Sequence, residues 1–327
     1  MSKDDGGDAS TGTLQLKVNE LREALSKDMA GCDCLLSLFW SALSSYRHDT
    51  VLRPYPNQFI LSNGDKDIDG LRSVFKTLPG LNEVVQQLDS LDDRVITLLY
   101  DIICTKGFRL SFKPGDKFSL IESQTSVPAH KVQPYCFFEL QYSSEREEKW
   151  QRTASEYGTF LAYHGSRMEN FHSIAHNGLL SHMNKVGIFG EGTYLSTDLS
   201  VCMNFSPSAT SWTKSSLPPL CSMMAVCEVV SHPDIRSRVQ HGGEPSINQK
   251  VPERYFVVTN DEMLRVKYIL VFAQERGRPS PTRRWFSNHK WVLMVFLYLF
   301  LLLFLGLWNS RYVSRLYNQY TRRYITL

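Results

Sequence analysis

Between Leu14 and Cys104 the apolar residues return at helical spacing. Leu21, Leu25 and Met29 form one stripe. Leu35, Leu36, Phe39, Trp40 and Leu43 form a stronger one, the pattern of a helix with one face turned to a core. Pro54 and Pro56 break the run, and Asn63-Gly64-Asp65 marks a loop. The stripe resumes through Leu71, Val74, Phe75 and Leu78, then Leu81, Val84, Val85 and Leu88, then Val95, Leu98, Leu99, Ile102 and Ile103. Residues 14–104 therefore predict a small helical bundle. It carries no cluster of His, Cys or carboxylate side chains, so a regulatory or scaffolding role is its default reading. Residues 1–13 are polar, lack the apolar stretch of a signal peptide and predict a flexible tail.

After Lys106-Gly107 the period changes. Phe108 to Phe112 and Cys136 to Tyr142 alternate as strands do. Further strands are expected at Gly158 to His164, Gly192 to Ser196, Met223 to Val230, Tyr255 to Thr259 and Val266 to Phe272. Asn170 to Asn177 reads as a helix stopped by Gly178. Many strands with few helices between them predict an α+β domain on antiparallel sheets over residues 105–275. The polar stretch from Ser231 to Glu253 reads as a long exposed loop beside the site.

A third pattern closes the chain. Trp291 to Trp308 holds no charge and is mostly Leu, Phe and Val. Its length approaches the ~20 apolar residues of a transmembrane helix, and a Trp at each end suits the interfacial belt. Residues 276–290 form a basic linker. Basic residues flank the run on both sides, so charge alone does not orient it. Its place near the C-terminus is the layout of a tail anchor, with residues 309–327 as a short lumenal tail and the large N-terminal part in the cytosol. Strong hydrophobicity favours the endoplasmic reticulum, with the contiguous nuclear envelope; the basic residues after the run leave the mitochondrial outer membrane as the alternative.

Composition adds exclusions. Of 327 residues, 43% are hydrophobic and 21% charged, which argues against wholesale disorder. The net charge of +3 is too small for a nucleic-acid-binding surface. Seven scattered cysteines are an odd number and do not build a disulfide scaffold. Cys32-Asp33-Cys34 has no second ligand pair, so these are read as buried helix residues and no metal site is expected.

Two short segments carry candidate chemistry. The first is Tyr163-His164-Gly165-Ser166-Arg167, continuing through Asn170-Phe171 and Ile174 to Gly178-Leu179; the second is Phe189-Gly190-Glu191-Gly192-Thr193-Tyr194. Lacking a side chain, Gly165 lets a flat ligand lie against the backbone, where one N–H and one C=O can pair with a carboxamide. His164 offers a ring nitrogen to a ribose hydroxyl. Tyr194, delivered by a Gly-x-Gly turn, offers a ring for stacking on a planar heterocycle, and Phe205 could cover the other face. Singly, each residue has a plainer reading as a turn or core residue; the combination is what is specific.

That combination resembles the catalytic domain of the poly(ADP-ribose) polymerase family, which belongs to the diphtheria-toxin-like ADP-ribosyltransferases. The resemblance covers roughly residues 100 to 275. Lys267-Tyr268-Ile269-Leu270 matches the family's closing strand and sets its third catalytic position at Tyr255. The resemblance implies NAD+ as co-substrate and His164, Tyr194 and Tyr255 as the catalytic positions. It implies that Gly165 holds the nicotinamide carboxamide, that His164 and Ser166 bind the adenosine-side ribose, and that Tyr194 and Phe205 sandwich the nicotinamide ring. Cys202 stands where many relatives have a serine that bonds the carboxamide.

Three departures shape the expected activity. Tyr255 replaces the common glutamate, Phe205 the common tyrosine, and Cys202 the common serine. The absent glutamate disfavours chain building. With helical bundle, transferase domain and apolar tail together, the chain resembles a tail-anchored protein mono-ADP-ribosyltransferase of the endoplasmic reticulum. Expected partners are NAD+, acceptor proteins near the membrane and the chain itself. A catalytically silent NAD+ or ADP-ribose binding scaffold is the alternative that the three departures leave open.

Overall fold

The computed structural model describes residues 6–104, 107–125, 132–183, 190–235, 255–274, 290–308 and Arg315. Residues 1–274 form one compact unit and residues 275–327 a second.

Six helices occupy the N-terminal part: α1 (Gly6–Lys27), α2 (Met29–Ser44), α3 (His48–Val51), α4 (Ile68–Thr77), α5 (Leu81–Gln87) and α6 (Asp93–Ile103). The α1 helix begins at Gly6, inside the stretch expected to be a flexible tail. Polar composition there does not exclude helix, because intrinsic propensity is a weak prior that tertiary context overrides. Asp28, Asp67 and Asp92 cap α2, α4 and α6 by accepting from backbone N–H groups of the first turn.

Among the described residues eight strands follow in the same unit: β1 (Phe108–Pro114), β2 (Cys136–Tyr142), β3 (Thr159–Gly165), β4 (Thr193–Ser196), β5 (Ala209–Thr210), β6 (Leu220–Val230), β7 (Tyr255–Val258) and β8 (Leu264–Ala273). They make one sheet in the order β1-β2-β8-β6-β3-β4-β7, with β5 beside β6. Every pairing is antiparallel. Thus the α+β class on an antiparallel sheet is observed. Among the described residues, helices α7 (Ser119–Glu122), α8 (Ser144–Tyr157), α9 (Phe171–Asn177) and α10 (Leu199–Met203) fall between strands. The pattern reading passes over α8, which buries only Trp150 and Ala154 of its residues and so shows almost no apolar stripe. Gly178, at φ 80, ends α9 in the left-handed region that glycine tolerates.

The sheet is covered on both faces. Met223, Ala225, Cys227 and Val229 of β6 join a core that also holds Leu21 of α1, Leu36 and Phe39 of α2, and Leu99 of α6. Met224 and Val226 point the other way, into a smaller core with Leu161, Tyr163, Leu199 and Cys202. Burial on both sides is why β6 reads as a nearly continuous apolar run rather than an alternation. The helical segment and the sheet therefore share one continuous core. Polar ties reinforce it. The buried Asp33 of α2 accepts from Ser215 Oγ at 2.8 Å, Ser216 N at 2.8 Å and Ser216 Oγ at 2.6 Å. Asp28 Oδ2 accepts from Phe112 N of β1 at 2.6 Å.

In the second unit a helix runs from Lys290 to Trp308. Side chains are described within it at Trp291 and residues 294–306. Among the described residues no helix is long and apolar enough to cross a membrane. The side chains that are described expose Leu, Phe, Val and Met around the helix, from Leu302 at 46% to Leu297 and Phe300 at 70%.

Candidate active site

Strands β3 and β4 meet at a single residue pair, Tyr163 with Ser196. On its other edge β3 pairs with β6 along its whole length, and β4 pairs fully with β7. The sheet is therefore almost split between β3 and β4. His164 and Gly165 lie just beyond the single pair, at the end of β3.

His164 is fixed by its Nδ1, which donates to the Tyr194 carbonyl across this split at 2.9 Å. That bond assigns the proton to Nδ1 and leaves Nε2 as the ring's other polar atom, an acceptor for a hydroxyl. Burial lowers the imidazole pKa below its ordinary value, against the raising effect of the Tyr194 bond. The ring is thus held neutral, as a partner for an uncharged sugar hydroxyl. His164 lines a cavity of ≈ 90 Å³ together with Ser166 and Asn170. Asn170 Nδ2 donates to Ser166 Oγ at 2.9 Å, which orients the serine.

Tyr194 is held at both ends. Its carbonyl accepts from His164, and its hydroxyl donates to the Gly190 carbonyl at 2.7 Å. Gly190 and Gly192 adopt φ 94 and 141, a turn that side chains other than hydrogen rarely allow. Phe189 lies outside the described residues. Tyr194 pairs with Val257, and Ser196 with Tyr255. Paired residues share a face, so Tyr194 and Tyr255 stand as diagonal neighbours on one face of the β4–β7 ladder. The opposite face buries Leu195 and Val258 in the main core.

Gly165 approaches its own protein more closely than a side chain permits. A Cβ there would lie 2.1 Å from the Cys202 carbonyl oxygen and 2.9 Å from Phe205 Cβ. The missing side chain therefore admits α10 against the end of β3. Phe205, just past α10, stays 62% exposed, with its Cβ beside Gly165.

Cys202 lies in the same wall, buried between α10 and β3. Its thiol donates to the Tyr163 carbonyl at 3.2 Å, and the residue is only 4% exposed. Burial pushes the thiol pKa up to about 12. The reason is packing: α10 is pressed onto β3, and the buried sulfur takes the nearest backbone acceptor.

Two lining residues escape the pattern reading. Arg47, just before α3, and Thr50 within it border the same cavity as His164. Nothing in their local sequence marks them, because only the fold carries them to the motif. The loop before Tyr255, residues 236–254, lies outside the described residues, and with it most of the loop expected from Ser231 to Glu253.

Comparison with known proteins bears on the family of the chain. Residues 23–103 match the family described as ARTD15 N-terminal domain, and residues 116–246 match poly(ADP-ribose) polymerase catalytic domain. Tyr255 lies beyond that second match. The chain is 39% identical over 315 residues to protein mono-ADP-ribosyltransferase PARP16 of Homo sapiens, covering 92% of this chain and 97% of that protein. Its identity to protein mono-ADP-ribosyltransferase PARP16 of Mus musculus is 38% over 314 residues, with the same coverage. A more distant relative, protein mono-ADP-ribosyltransferase PARP8 of Mus musculus, is 25% identical over 210 residues, covering 58% of this chain and 24% of that protein.

Proposed function

Because the chain belongs to the poly(ADP-ribose) polymerase family, we propose that its NAD+-consuming chemistry is carried by the split between β3 and β4, with His164, Tyr194 and Tyr255 in the catalytic positions. The enzyme is an NAD+-dependent protein mono-ADP-ribosyltransferase. The observation that carries the site assignment is the His164 Nδ1 bond to the Tyr194 carbonyl. It ties the two motif segments into one unit and presets the ring that would receive a ribose hydroxyl.

In this reading Gly165 and its backbone receive the nicotinamide carboxamide, and His164 and Ser166 receive the adenosine-side ribose. The Tyr194 ring, held by its hydroxyl, packs against nicotinamide, and Phe205 covers the other face. The bond between nicotinamide nitrogen and ribose C1′ breaks, and nicotinamide leaves neutral with the bonding electrons. Positive charge then develops on the ribose as an oxocarbenium ion. An acceptor side chain donates an electron pair to C1′, forms the new bond and loses its proton to solvent or a neighbouring base. No carboxylate stands at Tyr255, so the acceptor brings its own nucleophile. Rate enhancement comes mainly from holding the dinucleotide in a reactive pose.

The same reading places the enzyme on the cytosolic face of the endoplasmic reticulum, anchored by residues 291–308. Support comes from the uncharged sequence, its terminal tryptophans, and the exposed Leu and Phe side chains of the helix. An apolar surface of that kind needs cover by lipid or protein. Acceptor proteins at that membrane, and the chain itself, are the proposed substrates.

The test is automodification with labelled NAD+. His164→Ala and Tyr194→Ala should each lower it at least about tenfold, the loss expected for removing a positioning contact worth more than ~1.4 kcal/mol. Wild-type labelling by both folded variants would reject the site.

A further inference from the structure

The cavity beside His164 is lined by a cation that the catalytic motif does not contain. Arg47 and Thr50 line it together with His164, Ser166 and Asn170. The Arg47 backbone is well held: its N–H donates to Ser45 Oγ at 3.0 Å, and its carbonyl accepts from Thr50 Oγ1 at 2.9 Å. Its guanidinium is not. Nη1 stands 3.6 Å from Glu169 Oε1, too long for a hydrogen bond, and the side chain is 40% exposed. Glu169 holds a second guanidinium at similar range, Arg167 Nε at 3.3 Å. Its Oε1 is buried and, among the described residues, accepts no hydrogen bond. Two cations facing one carboxylate leave positive charge in excess at the lip of the cavity.

We propose that Arg47 binds the diphosphate of NAD+, so that the helical segment supplies part of the co-substrate site. The inference rests on the assignment of His164 to the adenosine-side ribose. The diphosphate is joined to that ribose through its 5′ carbon, so a ribose held at His164 brings anionic oxygens next to the same cavity. A guanidinium with unused donors is the side chain suited to them, since its planar fork can meet two phosphate oxygens at once. When Arg47 turns to phosphate, Glu169 keeps Arg167, and no carboxylate is left without a counter-ion. Arg167 is more exposed, at 57%, and does not line the cavity. The helical segment then does more than pack on the sheet, because displacing it would remove a ligand to the co-substrate.

The experiment compares the full-length wild type with Arg47→Ala, Arg47→Lys, Arg167→Ala and His164→Ala. Calorimetry measures binding of ADP-ribose, which has the diphosphate, and of nicotinamide, which lacks it. Turnover gives KM and kcat for NAD+. Arg47→Ala should weaken ADP-ribose binding and raise the NAD+ KM by about tenfold or more, the loss expected for a charge-assisted hydrogen bond. Nicotinamide affinity should stay within about twofold, and kcat at saturation should change little, as for loss of uniform binding. Arg47→Lys should recover part of the affinity, because it keeps the charge without the fork.

Unchanged ADP-ribose binding by Arg47→Ala would overturn the proposal, as would a loss carried by Arg167→Ala alone. A parallel loss of nicotinamide binding would also overturn it, since that marks a collapsed site. Should Arg47→Ala lower the melting temperature sharply, Arg47→Gln replaces it and is judged by the same readouts. The underlying site assignment fails separately: it falls if His164→Ala binds ADP-ribose as the wild type does. If His164→Ala loses binding and Arg47→Ala does not, only the role of Arg47 falls.

Discussion

Replacing Gly165 by alanine tests the closest approach in the candidate site. Gly165 is an extended strand residue paired with Met224, so the added methyl acts by contact and not by backbone strain. It would lie 2.1 Å from the Cys202 carbonyl oxygen, 3.0 Å from its carbon and 2.9 Å from Phe205 Cβ. Favourable contacts between such atoms lie at about 3.5–4.0 Å, so relief requires a shift of more than an ångström. The obstructing atoms are largely backbone and cannot rotate away. The whole of α10 has to rise from β3, which stretches the bond from the Cys202 thiol to the Tyr163 carbonyl.

Overpacking of this kind costs typically about 1–3 kcal/mol, and a backbone obstruction puts the effect toward ~3 kcal/mol. In a unit of this size each kcal/mol lowers the melting temperature by roughly 2–4 °C, so a fall of about 6–12 °C is expected. Phe205 moves with α10, so the NAD+ KM should rise by at least about tenfold, consistent with losses from small displacements of a site. Differential scanning fluorimetry and NAD+ titration of automodification measure the two effects. A variant that melts with the wild type and keeps its NAD+ KM would show that α10 does not press on Gly165.

Mass spectrometry of the modified protein should show single ADP-ribose units, because Tyr255 offers a phenol where chain building needs a carboxylate base; ladders of repeated units would refute this role. Deleting residues 288–327 should release the protein from membranes in a flotation assay while leaving labelling by NAD+ intact, since every assigned site residue precedes the cut; a truncated chain that still floats with membranes would place the anchor elsewhere. Acid should weaken the fold through His172, which is 3% exposed, T-stacked on Phe39, and donates from Nε2 to the Pro54 carbonyl. Burial, then the charge of His176, lower its pKa from 6.5 to about 3. The unfolded chain therefore takes up a proton as pH falls through ~6.5 while the folded chain does not. Stability is complete above that pH and is lost below it at about 1.4 kcal/mol per pH unit, or ~2 kcal/mol at pH 5. Denaturant melts at pH 7 and pH 5 should show a smaller acid loss in His172→Phe than in the wild type; equal losses would refute the assignment.

By itself the sequence determined the elements whose burial repeats. Leu35, Leu36, Phe39 and Leu43 of the expected stripe are all buried in α2, and Cys136 to Tyr142 became β2 with its expected bounds. The first is legible from the helical spacing of its large apolar residues and the second from its run of strand-forming residues, although burial in both extends beyond one face. Elements with little burial left no such trace, as α8 shows. The motif residues His164, Gly165 and Tyr194 were legible as well, since a Gly next to His and a Gly-x-Gly turn before Tyr are local backbone requirements.

Only the tertiary structure decided what those residues meet. It turned the Cys202 thiol to the Tyr163 carbonyl, gave the buried Asp33 to Ser215 and Ser216, and set Arg47 beside His164. It also joined the helical segment and the sheet through one core. Each of these joins segments far apart in the chain. Such contacts arise from the packing of whole elements against one another, which no local period records.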